Sequence, residues 1–113
     1  IILTCFASRL PLLLDSRLML DGDECVVALM AKHTYLGEGL SIFFWGQDYG
    51  FSLIEVLFII PFYAVLGYTT IAVKLAMLTL WSIGVVFLYK TMLVINRENR
   101  LFAFLLILIL ILI

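Results

Sequence analysis

Residues 70–92 read TIAVKLAMLTLWSIGVVFLYKTM, and this stretch decides the architecture. Its charged side chains are Lys74 near one end and Lys90 near the other. Crossing the hydrocarbon of a bilayer takes about 20 apolar residues. A lysine near an end can lay its stem along the helix and carry its ammonium to the headgroups. The segment therefore predicts a transmembrane helix. The composition agrees, since 65% of the 113 residues are hydrophobic and 13% are charged. Mean hydropathy is +1.24. Soluble domains are roughly half apolar and a quarter charged, and a chain of this length buries only about two-thirds of its surface. An ordinary soluble domain is excluded, and lipid is the expected solvent for much of the chain.

Outward from this span, residues 101–113 open another apolar run. Residues 1–8 read as the end of a span that leaves the membrane near Ser8-Arg9-Leu10-Pro11. The expectation is a fragment of a longer membrane protein, cut inside one helix at each end. Residues 12–20, interrupted by Asp15 and Arg17, suit an interfacial connection. Residues 52–66 predict a short apolar helix, broken at Pro61 and ended by Gly67, too short to cross comfortably and so placed in the interface. The loop 93–100, with Lys90 just before it and Arg97 and Arg100 within it, is expected in the cytoplasm by the positive-inside rule. Residues 9–69, with most of the acids, then face the opposite side. The predicted fold class is all-α: a polytopic membrane-domain fragment with transmembrane and interfacial juxtamembrane helices. Cys5 and Cys25 fit no metal spacing and imply no disulfide framework.

Chemistry concentrates at Asp21-Gly22-Asp23-Glu24. Three crowded carboxylates raise the proton affinity of at least one unless a cation or donor compensates. That suits a general base, or a divalent cation held by hard oxygen ligands. The same cluster also reads as an acidic cap that only starts a helix, with Asp23 as N-cap. A helix over about 24–36 follows, with Val26, Leu29, Met30, His33 and Leu36 at helical spacing and Gly37-Glu38-Gly39 as its end. His33 reads as a packed or interfacial residue, and Lys32 and Glu38 as solvated. Gln47, Asp48 and Tyr49, between Gly46 and Gly50 in an aromatic loop, form either a substrate-binding cluster or an interfacial turn. Glu55, one turn into an apolar helix, points to a polar cavity or a partner. Lys74 reads as a snorkelling residue, with a lipid phosphate as its alternative partner. No phosphate-binding loop, dinucleotide motif, nucleophile elbow or zinc spacing occurs, and no nucleic-acid partner is expected.

Taken in order, these features resemble the first external loop of the C-type superfamily of integral-membrane glycosyltransferases, in particular the protein mannosyltransferases and lipid A aminoarabinose transferases. The matching residues are Asp23-Glu24, the helix 25–36 with Gly37-Glu38-Gly39, Phe62-Tyr-Ala-Val-Leu-Gly67 and Ile71-Ala-Val-Lys-Leu75. The Lys-Pro pair common in the aminoarabinose branch is absent at Gly46-Gln47-Asp48-Tyr49-Gly50, which leaves branch and acceptor open. The resemblance implies that Asp23 is the catalytic base or acceptor-positioning acid, with Glu24 beside it and Asp21 a companion. It also implies a polyprenyl-phosphate-linked sugar donor, inverting transfer to an acceptor hydroxyl, and no activity for the fragment alone. The competing expectation is a non-enzymatic small membrane protein or a transporter piece. A transporter should place ionisable groups in mid-span, and residues 75–89 have none.

Overall fold

The structure, a computed structural model, describes residues 1–15, 19–95 and 100–112. Among them the chain forms five helices: α1 (Ile2–Leu13), α2 (Gly22–Tyr35), α3 (Leu53–Leu66), α4 (Thr70–Ile95) and α5 (Arg100–Leu112). No strand forms among the described residues, although Phe43 and Phe51 make an isolated antiparallel bridge. The fold is all-α. Arg17 of the first connection, and Asn96 to Asn99 of the basic loop, lie outside the described residues.

Local chemistry accounts for the helix ends. Asp21, and not Asp23, is the N-cap of α2. Its Oδ1 accepts the Glu24 backbone N–H at 2.8 Å, and Glu24 Oε2 accepts the Asp21 N–H at 3.1 Å. The correction follows from spacing, because a capping box needs Glu or Gln three residues after the cap. Asp21 has Glu24 there, whereas Asp23 has Val26. At the other end the Glu38 N–H bonds to the His33 carbonyl and the Gly37 N–H to the Thr34 carbonyl, with Gly37 at φ +79°. These are the two crossed bonds of a Schellman stop, whose left-handed position favours glycine. Thr69 starts α4, its Oγ1 accepting the Ala72 N–H at 3.3 Å.

One sequence expectation about proline fails, the break at Pro61. Helix α1 continues through Ser8–Pro11 to Leu13, and α3 runs unbroken through Pro61 to Leu66. Each proline removes one backbone donor, and the apolar turns on both sides keep their own bonds.

The amphipathic face expected on α2 is also rotated. Val27, Ala28, Met30 and Ala31 are buried, while Leu29 and Leu36 are exposed. The two alanines let α3 approach closely, and a core forms from them with Val56, Ile59 and Tyr63 of α3 and Ala72, Val73 and Ala76 at the start of α4. Tyr63 ties it by donating its hydroxyl to the Ala28 carbonyl at 3.1 Å. This core belongs to a compact unit of residues Asp15–Met77. The loop between α2 and α3 is folded back on itself. Phe44 N–H bonds to the Gly50 carbonyl at 2.8 Å and Ser52 N–H to the Ile42 carbonyl at 3.1 Å.

A second unit joins Ile1–Leu14 with Leu78–Ile113. In it Cys5, Val85, Ile107 and Ile111 are buried, with Trp81 and Tyr89 against them. The Arg9 guanidinium lies 5.6 Å from the Trp81 ring centre.

Among the described residues α4, with 26 residues, is the one helix long and apolar enough to cross a membrane. Two of its hydroxyls are satisfied within the helix, Ser82 Oγ donating to the Leu78 carbonyl at 2.7 Å and Thr91 Oγ1 to that of Phe87 at 3.0 Å. Such back-bonding removes the cost of an unpaired hydroxyl in hydrocarbon. Helices α1, α3 and α5 have 12, 14 and 13 residues.

Candidate functional site

Within the Asp15–Met77 unit, the first turn of α2, the first turn of α3, one loop aromatic and the start of α4 enclose an open cavity of about 270 Å³. Asp23, Glu24, Ser52 and Glu55 supply its polar surface. Val27, Phe44, Ile59, Val73 and Met77 supply its apolar wall. A site with one polar and one apolar side suits an amphiphilic ligand.

The capping box sets the directions of the acids. Asp21 is spent on the helix start and is exposed outside the cavity. Glu24 makes a forked ion pair with Lys74, whose Nζ donates at 2.7 Å to Oε1 and 2.6 Å to Oε2. Lys74 therefore neither snorkels freely nor waits for a phosphate. The start of α4 brings its ammonium to a carboxylate that the capping box already orients. Asp23 makes no hydrogen bond or ion pair with a described residue, and neither does Glu55. These two carboxylates are the cavity's available bases.

Burial of Glu55 raises its carboxyl pKa. The folded state thus holds the proton more tightly than the unfolded chain does, and stability falls as pH rises through the raised value. Glu55→Gln is expected to raise the denaturation midpoint in detergent at neutral pH. The gain should vanish as the pH is lowered below the ordinary carboxylate range. A gain that persists unchanged in acid contradicts this origin.

The other expected site residues lie elsewhere. Gln47, Asp48 and Tyr49 are exposed and do not line the cavity, because the turn at Gly46 and the bridge to Phe51 direct Phe44 inward instead. His33 and Glu38 are not separately solvated. The His33 Nδ1 pairs with Glu38 Oε2, and its ring meets Trp45 edge-on at 5.1 Å. Lys32 is not simply solvated either, lying 5.3 Å from the Tyr68 ring centre. Sequence reading missed Ser52 and Phe44 as lining residues and Lys74 as the partner of Glu24. A lysine within the second turn of an otherwise apolar helix was the available signal for the last. No group of three or more His, Cys, Asp or Glu among the described residues is placed to hold a metal ion.

No protein-family model matches the chain, and no match was found among curated proteins or solved structures.

Proposed function

We propose that this chain supplies the acidic active-site loop of a polytopic membrane glycosyltransferase of the C-type kind, acting on a polyprenyl-phosphate-linked sugar. The observation that carries the reading is the cavity. It sets an unpaired carboxylate, Asp23, on one side and an apolar wall on the other, which is what a sugar attached to a lipid requires. The single long span and the short apolar helices α1 and α5 are compatible with further crossings when the helices have their full membrane partners. Helix α3, about 21 Å long at 1.5 Å per residue, is shorter than the roughly 30 Å hydrocarbon core and lies in the interface. The cavity then faces the extracytoplasmic side and the basic loop 93–100 the cytoplasm.

In this mechanism Asp23 accepts the proton of an acceptor hydroxyl. The oxygen attacks the anomeric carbon, and the bond to the lipid phosphate breaks with its electron pair leaving on the phosphate oxygen. The configuration inverts. Glu24, neutralised by Lys74, keeps the start of α2 in place, and Glu55 borders the sugar. Cations for the departing phosphate come from other parts of the assembled enzyme.

The second reading, a non-enzymatic membrane protein whose acids only start a helix, is favoured by one observation: Asp21 and Glu24 are consumed by the capping box. One substitution separates the two. In the full-length enzyme Asp23→Asn should abolish transfer from a lipid-linked donor while insertion and helix content stay normal. Since Asp23 is not the cap, a folding defect is not expected. Turnover at the unsubstituted rate defeats the assignment and leaves the capping role alone.

A further inference from the structure

Lys32, on the last turn of α2, is a cation that the site described above does not use. Its Nζ forms no ion pair or hydrogen bond with a described residue and rests 5.3 Å from the centre of the Tyr68 ring. That ring is itself held on two sides. Tyr63 meets it edge-on at 5.1 Å and 80°, and Tyr35 at 6.0 Å and 76°. Tyr63 is in turn buried and bonded to the Ala28 carbonyl. The ammonium is therefore positioned but not neutralised, because an aromatic face attracts a cation without cancelling its charge. Tyr35 and Tyr68 are 45% and 49% exposed, and neither hydroxyl bonds to a described residue.

The depth of this cluster follows from α4. Twenty-six residues at 1.5 Å each make a helix of about 39 Å, longer than a hydrocarbon core of about 30 Å. The first turn of α4, and Tyr68 two residues before it, therefore stand among the headgroups. Tyrosine favours that level, and the helix N-terminus adds partial positive charge there. The other lysine of this unit, Lys74, is occupied by Glu24.

We propose that Lys32, Tyr35 and Tyr68 form a headgroup site for an anionic phospholipid, the ammonium pairing with the lipid phosphate and the two phenols donating hydrogen bonds to its oxygens. The site anchors the C-terminal end of α2 to the bilayer surface in which α4 stands. It does not depend on the glycosyltransferase reading.

The test uses the full chain in mixed micelles containing equal amounts of phosphatidylglycerol and phosphatidylcholine, with retained lipid counted by native mass spectrometry. The unsubstituted chain is expected to retain phosphatidylglycerol preferentially. Lys32→Gln should reduce that preference about fivefold, the contribution of one lysine at an anionic surface. Lys32→Arg should preserve it, and far-UV circular dichroism should show both variants folded. A preference unaffected by Lys32→Gln, or absent from the unsubstituted chain, overturns the proposal. Complete displacement of the lipid by inorganic phosphate also overturns it, by showing that the occupant is a soluble anion.

Discussion

Ile59→Ala is expected to destabilise the Asp15–Met77 unit by about 2–5 kcal/mol, the range for removing a fully buried aliphatic side chain. Ile59 is 0% exposed, at the centre of the core shared by α2, α3 and α4, and it also walls the acidic cavity. Whether this unit meets water or lipid, the truncation leaves a void whose lining loses its dispersion contacts. Leu57, on the same helix but 49% exposed, provides the control, and Leu57→Ala should stay within about 0.5 kcal/mol. Unfolding in mixed micelles of rising sodium dodecyl sulfate content, followed by tryptophan fluorescence, compares the two. Equal costs would mean that α3 presents a different face to the core.

Lys74→Met should cost about 1–3 kcal/mol. The estimate lies between the roughly 0–1 kcal/mol of an exposed ion pair and the 3–5 kcal/mol of breaking a fully buried one. The pair falls between those cases, with Lys74 and Glu24 side chains 25% and 29% exposed. Substituting Glu24 alone mixes two effects, because its carboxylate also closes the capping box. Glu24→Gln avoids the confusion, since Gln serves equally at that position of the box. A double-mutant cycle of Glu24→Gln with Lys74→Met then isolates the pair. Its coupling should favour the unsubstituted pair and weaken in high salt as screening increases. Zero coupling would remove the ion pair from the account of how α4 is held to α2. Glu24→Ala should cost more than Glu24→Gln, by the lost cap.

Much of the helical layout was legible in the sequence because its signals act over a turn or less. The apolar run from Thr70, the stop at Gly37 and the stop at Gly67 each depend on neighbours a few residues away, and the observed helices begin and end close to them. The N-cap was misplaced by two residues because Asp21 and Asp23 are chemically the same, and only the reciprocal reach of Glu24 distinguishes them. Pro61 misled for the opposite reason. A local rule against helix interiors was overridden by the apolar turns around it.

The face that each helix buries was less legible. Helix α3 is apolar nearly all round, so its sequence carries no stripe to mark the buried side, and α2 offers two plausible stripes. Packing chose the one with Ala28 and Ala31, where small side chains allow close approach. The candidate site has the same history. Asp23, Glu24 and Glu55 could be named from sequence as carboxylates at helix starts, but nothing local indicated that they share a cavity. Nor could it show that Gln47, Asp48 and Tyr49 would turn away from it.

By itself, then, the sequence determined an all-helical chain with a long apolar helix from Thr70 and an acidic start to α2, because hydrophobic length and capping chemistry are local properties. The tertiary structure alone decided that Lys74 neutralises Glu24 across 50 positions, that Tyr63 reaches the Ala28 carbonyl across 35, and that Asp23 and Glu55 remain available in one cavity. Charges and hydroxyls so far apart in the chain meet only when helix packing brings them within the few ångströms over which ion pairs and hydrogen bonds act.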